Sequence, residues 1–159
     1  MEPKPRSAST VTMTQIVLPF HANVAGNMHG GEVMKLMDSA AGVAAARHSL
    51  CNVVTASVTQ LSFIEPIFVG DLVLCKAELT YTGNTSMEVY VKVDAEDLNR
   101  GIIKHVCEGY FFMVALDRNG RPTKVRPLLV ENEEEQRCYE AAQERIRHMK
   151  EVQSKSENC

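Results

Sequence analysis

The sequence predicts an α+β chain in which a curved antiparallel β-sheet wraps around one central α-helix and a second, charged helix lies on the outside at the C-terminus. Three observations predict it. Apolar periodicity orders the elements as strand, helix, then four strands. The turns between the later strands are short, which makes antiparallel neighbours the simplest topology. The helix carries almost only small residues through its middle, Ser39 to Ala46, so other backbone can close tightly around it. About five strands and one such helix have a natural solution: the sheet curls and buries the helix as its core. The 159 residues fit a single domain.

The first ten residues are polar and carry Pro3 and Pro5, and are expected to be a disordered tail. The domain itself is expected over 11–130. Thr12 to Pro19 has strand-like apolar spacing and ends at a proline that a central strand would not hold. The stretch from His21 to Gly31 reads as a loop, its three glycines and two asparagines marking sharp turns. From Glu32 to His48, Val33, Leu36, Met37, Ala40, Val43 and Ala44 recur at helical spacing, and Glu32 suits the positive end of the dipole.

Strand periodicity then returns over Val53 to Phe63, Asp71 to Thr82, Ser86 to Asp94 and Ile102 to Asp117. Turn signals separate the strands at Glu65-Pro66, Gly83-Asn84 and Asn99-Arg100-Gly101. The third strand alternates most cleanly. Met87, Val89, Val91 and Val93 are expected to face the core, and Glu88, Tyr90, Lys92 and Asp94 to face outward. Residues 131–152 mix Glu with Lys and Arg over a weak stripe of Tyr139, Ala142, Ile146 and Met149, as a surface helix does; 153–159 read as a frayed tail. Free edge strands in such a sheet predict dimerisation through paired edges.

Composition narrows the function classes. A hydrophobic share of 45% and a charged share of 23% belong to a globular chain. A net charge of -3 argues against a surface built to neutralise nucleic acid. No stretch is apolar enough for a signal peptide or a membrane span. Cys51, Cys75, Cys107, Cys138 and Cys159 are odd in number, widely spaced and without a C-x-x-C pair. They are expected to be free thiols in a reducing compartment, which places the chain in the cytoplasm by default.

Chemistry concentrates at the glycine loop and the helix that follows. Gly30 and Gly31 leave room for a ligand at the free N–H groups of a helix start, where a carbonyl oxygen gaining negative charge is stabilised. Asp38, two turns in, lies at the margin of the apolar face beside Met34, Ala41 and Ala45. A carboxylate there faces either a cleft or plain solvent, and the glycine loop weighs equally with the bland reading. His21, His29, His48, His105 and His148 lack metal-ligand spacing, so no metal is expected; His29 alone adjoins the loop. No G-x-S-x-G elbow or cysteine nucleophile motif occurs. Gly83 to Ser86 with Arg118, Arg121, Lys124 and Arg126 has the groups to hold phosphates, although solvated turns explain it as well.

Three ordered segments, HANVAGNMHGGEVMKLMD, VVTASVTQLSFIEPIFVGD and TGNTSMEVYVKVDAED, resemble the acyl-CoA thioesterases of the hotdog superfamily, from the cytosolic and brain-type acyl-CoA hydrolases to their bacterial single-domain relatives. The resemblance runs from about Thr12 to Arg126. It implies the hotdog fold, an active site at a homodimer interface and frequent hexamers built as trimers of dimers. It also implies hydrolysis of fatty acyl-CoA to fatty acid and CoA, without a cofactor beyond the CoA of substrate and product.

Family positions map to Asn23 and Asp38, which the resemblance assigns to two different subunits around one thioester. Asp38 is then expected to activate water, or to attack directly. Gly30 or Gly31 would polarise the carbonyl. The CoA moiety would lie along Val54, Thr55, Ala56 and Ser57 and near Thr85 and Ser86, with Lys124 or Arg126 at the phosphates. His29, by its place beside the loop rather than by the resemblance, reads first as a loop anchor and second as a hydrogen-bond partner of the ligand. A hotdog regulatory module that binds acyl-CoA without cleaving it is the alternative; a dehydratase would want a catalytic histidine beside an acid, a pattern that His29 does not follow.

Overall fold

The computed structural model describes residues 1–158; the expected free thiol of Cys159 lies outside them. In chain order the elements are β1 (Lys4–Pro5), β2 (Val11–Ile16), α1 (Gly30–Ser49), β3 (Asn52–Phe63), β4 (Leu72–Thr82), β5 (Ser86–Asp97), β6 (Ile102–Leu116), β7 (Leu128–Leu129) and α2 (Glu133–Ser156). Five of the strands form one antiparallel sheet in the order β2-β4-β5-β6-β3. Packed against all five is α1.

Alternation puts Val73, Cys75, Ala77 and Leu79 of β4 and Met87, Val89, Val91 and Val93 of β5 fully inside, against Met37, Ala40, Ala41, Ala44 and Ala45 of α1. The run of alanines is what lets the sheet close around the helix. Val43, counted among the apolar spacing of the helix, is instead 36% exposed. It lies on the far margin of the exposed face of α1, whose other margin carries Met34 and Asp38. The helix ends at Leu50 in the left-handed region, its N–H bonded to Ala46, and the Lys4 ammonium donates to the carbonyl of Arg47.

Four expectations are corrected. The N-terminal segment is not a disordered tail: Lys4 and Pro5 pair in parallel with Leu128 and Leu129, the Arg6 guanidinium meets Glu135 at 3.1 Å, and Ser9 is buried. Partners more than a hundred residues away order it, and local composition carries no trace of them. The residues after Gln153 continue α2 to Ser156 rather than fraying at once. Glu88 does not face solvent, because α2 covers that face and leaves the residue 2% exposed. Finally, β3 skips its sequence neighbour β4 and pairs with β6, so residues 64–71 cross to the opposite side of the sheet and β3 becomes an edge.

Candidate active site

The loop before α1 is held at both ends. The ring of His21, buried, accepts the N–H of Leu18 at Nδ1 (2.9 Å), and its Nε2 lies 2.8 Å from the Gln15 amide. Its carbonyl takes the N–H of His29 (2.8 Å), and Met28 donates to Ile67 (2.7 Å). His21 is thus a loop anchor that the sequence does not single out. Between these ties Asn23 turns its Oδ1 inward to accept Ala25 N–H (3.0 Å) and Asn27 N–H (3.2 Å). Its Nδ2 donors have no partner among the described residues, so the side chain offers a hydrogen-bond donor.

His29 occupies the N-cap of α1 without any side-chain cap. Its carbonyl accepts from Glu32 and Val33, while the N–H groups of Gly30 and Gly31 have no acceptor among the described residues. Such a terminus is a ready-made site for a developing oxyanion. Nothing stands where a Cβ of Gly31 would be, and the ring of Phe63 lies 3.5 Å from that position at Gly30. Asn23, Gly30 and Phe63 line one cavity of about 370 Å³ with Met28, Val33 and Ile67.

Asp38 projects from the margin of the exposed face of α1. Its Oδ1 accepts the hydroxyl of Thr55 on β3 at 2.5 Å, and that hydroxyl also touches the sulfur of Met113 at 3.4 Å. Thr55, expected along a CoA wall, therefore aims the carboxylate. Asp38 lies eight residues beyond Gly30, which is about 12 Å along the helix axis. One carbonyl cannot touch both within a single chain.

A match to the family model for the thioesterase superfamily covers residues 25–102. Protein VdlD of Helicobacter pylori is 41% identical over 84% of this chain and 76% of its own length. The chain belongs to the thioesterase superfamily. The rat cytosolic acyl coenzyme A thioester hydrolase is 36% identical over 94% of the chain, which spans 40% of that protein's length.

Among solved thioesterase structures, an apo-hexameric acyl-CoA thioesterase superposes with a TM-score of 0.91 at 36% identity, covering 96% of this chain and 97% of that one. The Staphylococcus aureus acyl-CoA hydrolase, solved with butyryl coenzyme A and coenzyme A, gives 0.89 at 31% identity, covering 98% and 94%. That enzyme has also been solved with one asparagine, one aspartate or one threonine replaced by alanine. The intervals between those three residues, fifteen and then seventeen, equal the intervals between Asn23, Asp38 and Thr55 here.

The remaining residues singled out for this thioesterase fold form a separate group. Val125 N–H donates to the Asn84 carbonyl, so the segment with Lys124 and Arg126 lies on the β4–β5 turn that carries Thr85 and Ser86. The Arg126 carbonyl lies 2.9 Å from Nε2 of His48, at the C-terminal end of α1. Two buried side-chain polar atoms without a partner among the described residues sit here, Arg126 Nε and His48 Nδ1. This group is about 27 Å along α1 from Gly30 and about 15 Å from Asp38. Val54 and Ala56 are exposed and Ser57 is half-buried on the free edge of β3. Burial pushes the thiol of Cys75 up to about 12 and that of Cys107 to about 11, so both are protonated at neutral pH and poor nucleophiles.

Proposed function

We propose that this protein is an acyl-CoA thioesterase whose sites each combine Asp38 of one subunit with Asn23, Gly30 and Gly31 of another. The 12 Å between the carboxylate and the helix start within one chain carries the reading, because a single thioester then needs two copies to be bound and attacked. The free edge of β3 supplies the means. Antiparallel self-pairing of that strand runs Thr55 of one copy toward Phe63 of the other, bringing the carboxylate that Thr55 holds to the N-terminus beside Phe63.

In the reaction the Gly30 and Gly31 N–H groups and the Asn23 amide hold the carbonyl oxygen as it gains charge. Asp38 takes a proton from water, whose oxygen attacks the carbonyl carbon. The C–S bond breaks, and the thiolate recovers the proton, leaving fatty acid and CoA. The CoA arm runs from Asp38 toward the segment of Lys124 and Arg126 of the same subunit, whose cationic side chains suit its phosphates. No metal or further cofactor enters the scheme. Hexameric relatives favour a trimer of such dimers, and the cytosolic name of the rat relative favours the cytoplasm.

Release of free thiol from a series of acyl-CoAs tests the reading. The wild type is expected to turn them over, and Asp38→Ala to lose on the order of 10²–10⁴ in kcat while keeping its assembly. Tight binding without thiol release in the wild type would point to the non-catalytic regulatory module instead.

A further inference from the structure

The cavity that reaches Asn23 and Gly30 is walled by Met28, Val33, Phe63, Ile64, Pro66 and Ile67. Its polar lining is limited to Asn23, Asn27 and Glu65, so the six apolar side chains make a hydrocarbon guest the fit for most of its wall. The cationic group suited to phosphates lies at the other end of α1. The carbonyl held at Gly30 therefore points its hydrocarbon tail, not its CoA arm, into this cavity.

The walls differ in how firmly they are held. Val33 and Ile67 are buried, and the loop at Met28 is tied to Ile67 by a backbone hydrogen bond of 2.7 Å. Phe63 is different. It is the last residue of the edge strand β3, exposed in the single chain and set at the paired edge of the proposed dimer, and its ring reaches across to Gly30. Ile64, 51% exposed, continues the same rim. The side chain most able to lengthen or shorten the space for a chain is thus the ring standing over the oxyanion donors.

We infer that Phe63 limits the room the acyl chain finds as it leaves the carbonyl and with it the chain-length preference, an inference that rests on the thioesterase reading of the same site. Each further methylene admitted to an apolar wall gains roughly fourfold in binding. The test uses the full-length assembly and acyl-CoAs from butyryl to hexadecanoyl. It reads kcat/KM from thiol release and, separately, Kd from calorimetry. Phe63→Ala is expected to raise the ratio of long-chain to short-chain kcat/KM by about tenfold, and Ile64→Trp, which narrows the same rim, to lower it.

An equal change at every chain length in both variants would overturn the inference and make Phe63 a packing residue only. If the wild type hydrolyses nothing, the thioesterase reading fails by itself. The chain-length profile of Kd then still decides whether Phe63 limits the pocket.

Discussion

At the scale of single residues, polar groups in this chain are defined by the partner each one keeps or lacks. Asp38 was noticeable in the sequence as a carboxylate at the margin of an alanine-rich helix, where a solvated reading weighed equally and the resemblance supplied its expected role. Thr55 was not, since nothing in a strand of alternating small and branched residues says that one hydroxyl meets a helix seventeen positions away.

His48 shows the same limit. It reads as one more helical residue, yet it is fully buried with Nδ1 unpaired and Nε2 bonded to the Arg126 carbonyl. Burial, helped by the nearby charges of Lys4 and Arg126, holds its pKa below the ordinary 6.5 even though the bond to the Arg126 carbonyl pulls upward. The unfolded chain then binds a proton that the native ring refuses. Stability from this group is full above the unfolded value and falls as pH drops from 6.5 toward the lower native pKa. Thermal unfolding followed across that range should show the decline, and His48→Gln, which keeps an N–H for the carbonyl, should flatten it.

Among the elements, α2 departs furthest from its reading as a helix merely resting on the surface. Its start is capped by Asn132, which accepts the N–H of Glu135 at 2.9 Å. Midway along, Arg145 grips Glu88 through two hydrogen bonds, 2.8 and 3.1 Å, and stacks 3.7 Å above the ring of Tyr110. Thr80 donates a further hydrogen bond to the same carboxylate at 2.7 Å. Strand alternation correctly placed Glu88 on the outer face; it could not say that another element covers that face.

Removing one member of such a pair strands the other charge in a poorly solvated place. Arg145→Ala should cost about 3–5 kcal/mol in denaturant unfolding at fixed protein concentration, and replacing both Glu88 and Arg145 by apolar residues should recover most of it. A loss below about 1 kcal/mol would mean the pair is solvated like an ordinary surface bridge.

For the whole molecule, the proposed site divides along α1 between two subunits, and on that reading assembly is part of the chemistry. Asn23→Ala and Asp38→Ala subunits are each expected to be nearly inactive alone. In a random co-assembly about half the dimers are mixed, and each mixed dimer regains one intact site of two, so about a quarter of wild-type activity should return. Thiol release measured on co-expressed, differently tagged subunits reads this directly. Activity no higher than that of the separate variants would mean that both residues serve one chain.

The sequence by itself determined the order of the two helices and the five strands of the main sheet, the inward face of β5, the small-residue helix at the centre and the glycine loop with its following aspartate. These are local: periodicity and turn chemistry act over a few residues, and one-sided burial writes itself into alternation. Only the tertiary structure decided that the N-terminal segment pairs with Leu128 and Leu129, that β3 crosses to an open edge, that α2 closes over Glu88 and that Thr55 aims Asp38. Each of these joins groups distant in sequence, where the stabilising contact exists only after the chain has folded and leaves no pattern in either partner alone.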